Sequence, residues 1–271
     1  MFKNYLPKEI REQINYDDLE EIRIRISKPI VLESSSGRKI LDYITTSKDI
    51  EIALDKMCES SCYAFIDEIR QGFLTLKGGH RVGMTGRVVL KHNTITNLTY
   101  ISSLNIRIAK EIVGVSSDII NKIENKNTLI ISPPNAGKTT LLRDICRKLG
   151  NKNKIGLVDE RGEIGSLVFG KPQFDIGMNT DVYDLCPKPI AISMLVRAMS
   201  PDYIIVDEIG TAEDSKAILD ATSLGVKVIA TAHGSNFDDI IKRMPELSET
   251  FEKIIILSRR NGNFYREVLD V

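Results

Sequence analysis

The stretch TLIISPPNAGKTTLLRDICRKLG, from Thr128 to Gly150, decides the fold. The apolar run at 129–131 is short. It gives way to Ser132, Pro133, Pro134, Asn135, Ala136 and Gly137, and a helical pattern restarts on Lys138, Thr139 and Thr140. Helices begin with unpaired backbone N–H groups and the positive end of a dipole. A loop that wraps those groups around phosphate oxygens makes an anion cradle. Gly137 lets the backbone approach, Lys138 can reach the β- and γ-phosphates of ATP, and the Thr139 hydroxyl can sit on Mg2+. Residues 132–140 are therefore candidates for nucleotide binding, with Thr139 also a candidate metal ligand.

The pattern is GxxxxGK[ST] with two departures. Ser132 stands at the first glycine position, and Asn135 at one often held by glycine. Asparagine tolerates the left-handed backbone region. Ser132 is compatible if its position does not demand a glycine-only conformation. A chance Gly-Lys-Thr at a helix start is the plainer explanation, but a strand before it and a helix after it are the context the motif requires.

A phosphate loop calls for a second, acidic strand end. Tyr203-Ile204-Ile205-Val206-Asp207-Glu208 supplies it. Asp207 can hold a magnesium-bound water, and Glu208 can polarise the attacking water. Taken alone, a surface Asp-Glu after a core strand would be unremarkable. Val158-Asp159-Glu160-Arg161-Gly162-Glu163 puts more carboxylates after another apolar run, and Ala230-Thr231-Ala232-His233-Gly234 ends a third on polar residues. Strand C-terminal ends face the ligand crevice of a parallel sheet. Lys138, Glu160, Asp207, Glu208 and His233 can thus converge on one edge, with His233 a candidate γ-phosphate sensor.

The rest of the chain agrees with this class. Among 271 residues, the runs at 129–131, 155–158, 203–206, 226–229 and 254–257 alternate with helical segments, the signature of a mostly parallel sheet. A helix is expected over 116–126. The part up to 113 reads as a smaller α+β domain, and 114–271 as the ATPase domain. In the first part Ile22, Ile24 and Ile26 alternate with arginines as a strand, and Ile50, Leu54 and Met57 share a helix face. A second helix is expected to hold Ala64, Phe65 and Ile69. Strands are expected over 73–90, turning at Gly78-Gly79, and over 101–108.

Lys plus Arg equals Asp plus Glu at 37 each, so no global charge draws the chain to nucleic acid or anionic lipid. The N-terminus has no apolar signal region, and no run reaches a membrane-spanning length. An intracellular location is expected, which leaves room for docking on a membrane protein from the cytoplasmic side. Cys58, Cys62, Cys146 and Cys186 form no CxxC pair and read as free thiols.

Together, SPPNAGKTTLLRDICRKL, LVDERGEIG, VRAMSPDYIIVDEIGT and IATAHG resemble the stage III sporulation protein AA family. GGHRVGMTGR and SLNIRIAKEIVG extend the resemblance into the N-terminal part. That family is similar to type II and type IV secretion ATPases of the RecA/AAA-like P-loop class. The resemblance implies a hexameric motor on the cytoplasmic, mother-cell side of the forespore membranes, peripheral on the membrane through partner proteins and energising a secretion-like channel. It implies nucleotide between the N-terminal and ATPase domains, and a general-base glutamate in an acidic box, for which Asp159, Glu160 and Glu163 are candidates. In those secretion ATPases the Walker B strand usually ends Gly-Glu where this chain has Asp207-Glu208, so the base stays open between Glu208 and the box. His233 falls where a His box is expected, and Arg81, Arg87, Arg107 and Arg197 are candidate phosphate contacts.

Two other functions fit a P-loop fold. A nucleic-acid-stimulated RecA-like ATPase needs a basic, aromatic-bearing groove, and this chain has no Trp and zero net charge. A nucleotide-binding scaffold without turnover has no use for an intact Glu208 and acidic box.

Overall fold

The computed structural model describes residues 2–59, 65–260 and 263–271. The chain divides into two compact units: Met1–Lys110 with Val168–Gln173, and Glu111–Leu167 with Phe174–Val271.

In the first unit, α1 (Lys8–Arg11) precedes β1 (Leu19–Arg25), β2 (Pro29–Ser34), β3 (Gly37–Ile44), α2 (Ser47–Met57), α3 (Ile66–Arg70), β4 (Phe73–Leu76), β5 (His80–Lys91) and β6 (Thr94–Arg107). The strands form an antiparallel sheet in the order β3-β2-β1-β6-β5-β4. The expected alternation is visible in β1, where Ile22 and Ile24 are fully buried and Arg23 and Arg25 are not. Strand β1 ends at Arg25, one residue short of the last isoleucine of that pattern. Helix α2 buries Ile50, Ala53 and Met57 and starts on a capping box, in which Thr46 and Asp49 satisfy each other's backbone N–H groups. The second expected helix is the short α3. Phe65 precedes it, while Ala64 and Cys62 lie outside the described residues.

The second unit holds α4 (Ile120–Ile123), β7 (Thr128–Ser132), α5 (Lys138–Gly150), β8 (Ile155–Asp159), β9 (Thr180–Asp184), α6 (Lys188–Met199), β10 (Tyr203–Ile209), α7 (Ala212–Ser223), β11 (Lys227–His233), α8 (Phe237–Arg243), β12 (Lys253–Arg260) and β13 (Asn263–Asp270). Its sheet runs β13-β12-β7-β11-β10-β8-β9, parallel throughout except for β13 on β12. All five apolar runs are strands of this sheet. Each is buried on both faces, as a parallel sheet between helices requires. On one face Leu129, Ile131, Ile204 and Val206 pack with Ile192, Leu195, Ile218 and Ile240 of α6, α7 and α8. On the other, Ile130, Ile205 and Ile229 pack with Leu141, Leu142, Ile145 and Leu149 of α5. Each of these α5 side chains contributes ~1.5–3 kcal/mol by leaving water.

The helix expected over 116–126 is much shorter. Only α4 is helical, because Ser116 is held elsewhere. Its N–H and Oγ donate to the buried carboxylate of Asp144 on α5, at 2.7 and 2.6 Å, while the N–H of Gly114 donates to the same carboxylate at 3.0 Å. These bonds fix the chain before α4 as turns.

Candidate nucleotide-binding site

Helices α2, α7 and α8 all begin on a capping side chain, Thr46, Thr211 or Asn236, with carboxylates in the first turn. Helix α5 begins differently. Its N-cap is Gly137 at φ +88°, no side chain caps it, and its first turn carries no acid. The first N–H groups and the positive dipole end are thereby left for an exogenous anion. Asn135 adopts φ +60°, the left-handed region its side chain tolerates. Within 132–140 the positive-φ positions are Asn135 and Gly137, so Ser132 does not need glycine's freedom. Ser132 is fully buried at the end of β7, its hydroxyl donating to the Pro133 carbonyl at 2.7 Å. Ala136 is buried beneath the loop, whereas Pro133, Pro134 and Asn135 are exposed. Thr139 and Thr140 occupy the first turn of α5 and are partly exposed.

Several of the candidate residues meet at the base of this loop. Ser132 pairs with His233 across β7 and β11. The Ser132 carbonyl accepts from Lys138 Nζ at 3.2 Å and from His233 Nδ1 at 3.1 Å. A carbonyl can only accept, so His233 carries its proton on Nδ1 toward this partner. Burial lowers the Lys138 pKa. Asp207 and Glu208 act against that shift, while the positive charge of Arg161 adds to it. The lysine, both carboxylates and the arginine therefore share one electrostatic environment.

Strand β10 ends in a distortion that presents its two acids separately. Its register against β11 breaks between Val206 and Ile209, and Glu208 sits at φ +53°. A glutamate is held in that region only by surrounding contacts. Here the contact is Thr231 of β11: its Oγ1 accepts the Glu208 N–H at 2.7 Å and donates to the Asp207 carboxylate. Thr231 is fully buried. Sequence reasoning gave it no role, although a hydroxyl inside a buried strand has to find a partner.

The acidic box is a tight loop after β8. The buried Asp159 carboxylate accepts the N–H groups of Glu163 and Gly165 at 2.8 Å, and that of Ile164 at 3.1 Å. Asp159 is consumed in shaping the loop. Arg143 of α5 grips the same loop, donating to the carbonyls of Glu163 and Ile164 at 2.6 and 2.9 Å while stacking on Phe174. Glu160 pairs with Lys188 at the start of α6. Glu208 pairs with Arg161 at 2.6 Å. Arg197 lies in the last turn of α6. In the first unit, Arg81 and Arg87 of β5 cover the rings of Phe73 and Tyr100, and Arg107 ends β6.

Burial raises the Asp207 pKa. The Thr231 hydrogen bond opposes this, and the charges of Glu163, Glu208 and Asp159 push it further up. Asp207 thus interacts with other carboxylates as well as with the Lys138 ammonium. Among the described residues no group of three or more His, Cys, Asp and Glu side chains is arranged to hold a metal alone. Thr139 and Asp207 would hold Mg2+ only together with waters and substrate phosphates, which is how that ion is ordinarily bound.

Comparison with known proteins agrees with this architecture. The family model described as sporulation stage III, protein AA matches residues 6–265. The chain belongs to that family. It is 41% identical to stage III sporulation protein AA of Bacillus subtilis over 274 aligned residues, covering 96% of this chain and 88% of that protein. Among solved structures it is similar to the pilus retraction motor PilT, at TM-score 0.67 and 17% identity over 97% of this chain and 82% of the other. It is also similar to the Legionella pneumophila ATPase DotB, at TM-score 0.63 and 19% identity over 93% and 77%. The fold is thus the one shared with PilT and DotB, a RecA-like unit with a mainly parallel sheet preceded by an antiparallel-sheet unit. No helix among the described residues is long and apolar enough to cross a membrane.

Proposed function

We propose that this member of the family hydrolyses ATP and serves as the motor of a secretion-like channel in sporulation. It acts as a homo-oligomeric, hexameric ring on the cytoplasmic, mother-cell face of a membrane complex. The observation that carries the ATPase reading is the meeting of Lys138 and His233 on the Ser132 carbonyl, with Asp207 and Glu208 within electrostatic reach of the lysine. The uncapped start of α5 and the structural likeness to PilT, described with bound ADP, support it.

In this reading the amides of 135–140 and the Lys138 ammonium hold the β- and γ-phosphates, while Thr139 and a water on Asp207 would hold Mg2+. The bound ion would neutralise charge developing on the phosphate oxygens. Glu208 is the base: it accepts a proton from the water that attacks the γ-phosphorus, as the bond to the bridging β–γ oxygen breaks. His233, tied at Nδ1, presents its other nitrogen to the phosphate. Glu160 holds Lys188 and so fixes the acidic loop against α6.

Turnover of the wild type, Lys138→Ala, Glu208→Gln, Glu160→Gln and His233→Ala tests the assignment. Lys138→Ala and Glu208→Gln are expected to lose at least ~100-fold, in the range for removing a charge-stabilising group or a base. Unchanged rates in both would remove it. A greater loss in Glu160→Gln than in Glu208→Gln would move the base into the acidic box. Sedimentation with and without nucleotide tests the ring.

A further inference from the structure

We propose that Arg161 is a γ-phosphate ligand supplied from within the same subunit, and that it leaves Glu208 when a triphosphate binds. This deepens the ATPase reading above and rests on it. The Arg161 guanidinium pairs with the Glu208 carboxylate at 2.6 Å, and its charge acts on Lys138. Once ATP enters, the γ-phosphate above the lysine competes with Glu208 for this guanidinium. Phosphate offers more charge and several acceptor oxygens, which suits the forked guanidinium. Transfer of the arginine adds a positive group to the phosphate and frees Glu208 to accept from water. A diphosphate lacks the competing group, so the ion pair would persist with ADP.

The surrounding structure allows this exchange. Arg161 sits at the tip of the loop that Asp159 and Arg143 hold at its base, so the backbone is fixed while the side chain is 56% exposed. Gly162 follows it in a turn closed by its own N–H to the Asp159 carbonyl at 3.0 Å. Glu208 is anchored by its N–H rather than its carboxylate, so losing the arginine does not release the strand. Arg161 is thus mounted on a rigid base and holds the proposed base through an ion pair that is half open to water. An ion pair of that exposure is worth little and is readily exchanged.

The test is binding of Mg-ADP and of a non-hydrolysable Mg-ATP analogue to wild type, Arg161→Ala, Arg161→Lys, Glu208→Gln and the Arg161→Ala/Glu208→Gln double variant. Arg161→Ala is expected to weaken the triphosphate analogue at least tenfold while leaving ADP within about twofold, with Arg161→Lys recovering part of the loss. Glu208→Gln releases the arginine and is expected to bind the analogue several-fold more tightly, a gain that disappears in the double variant. A purely structural ion pair would change both nucleotides equally or neither, and that result overturns the proposal. A gain that survives in the double variant also overturns it. Wild type that binds ADP and the analogue normally, with Arg161→Ala unchanged, removes Arg161 alone. Wild type that binds neither nucleotide removes the ATPase reading and this inference together.

Discussion

Asp159 is the most buried acid of the box. It is 1% exposed, and its two oxygens take four hydrogen bonds from the amides of Glu163, Ile164 and Gly165. Replacement by alanine strands three donors, each costing ~1–3 kcal/mol when left unsatisfied. Water entering beside the partly exposed Glu163 relieves some of this, so Asp159→Ala is expected to cost about 3–6 kcal/mol. Asp159→Asn keeps one carbonyl oxygen and turns an NH2 toward the remaining amide. Two of the four bonds, one of them half of the bifurcated Ile164 contact, and the charge assistance are lost, about 1.5–3 kcal/mol. At a slope of ~2 kcal/mol/M this moves the urea midpoint down by about 1 M. Urea unfolding followed by circular dichroism reads the shift, and turnover on the folded variant reads activity. An Asp159→Asn variant of unchanged midpoint and abolished turnover would refute the reasoning and make Asp159 a reacting carboxylate.

Thr231→Val removes the hydroxyl shared by Asp207 and the Glu208 amide, and should cost ~1–3 kcal/mol and at least tenfold in turnover, with Thr231→Ser restoring both. Gly177 has φ +90°, and a Cβ there would lie 2.7 Å from the backbone of Gly150. Gly177→Ala should therefore lower stability by about 2–6 kcal/mol, from strain and overpacking together, as measured by thermal melting. Burial acts to raise the Glu252 pKa, but Lys126, the Asn127 N–H and Lys227 prevail and hold it down at about 2. Its contribution is therefore present above the ordinary glutamate value and lost as pH falls from about 4.5 toward 2. Glu252→Gln should flatten the fall of melting temperature over that window; an unchanged slope would show that these bonds do not stabilise the folded state.

The second unit's sheet was legible because its strands are continuous apolar runs, and its phosphate loop because the local chemistry is written in adjacent residues. The two edge strands were not. β9, TDVYD, is polar and partly exposed, and β13 carries Arg266 and Glu267 at its centre, as edges exposed to solvent do. The over-long helix at 116–126 shows a different limit. Its isoleucines have helical spacing, but Ser116 is claimed by Asp144, 28 residues away. Long-range bonds of this kind leave no periodic trace. The same holds for the site. Lys138 could be named from the loop motif and Asp207, Glu208 and His233 from strand ends, whereas Thr231 and Arg143 act through contacts that only folding creates. The acidic box was readable as a cluster, and not as its three separate tasks: Asp159 shaping the loop, Glu160 pairing with Lys188, and Arg161 reaching Glu208.

Calorimetric titration of Mg-ATP into the wild type and Lys138→Ala addresses the central claim most directly. Saturable binding of one nucleotide per chain is expected for the wild type, weakened at least ~100-fold when the ammonium that meets Ser132 is removed. Absence of heat and of competition by ADP in the folded wild type, or equal binding by both proteins, would contradict it.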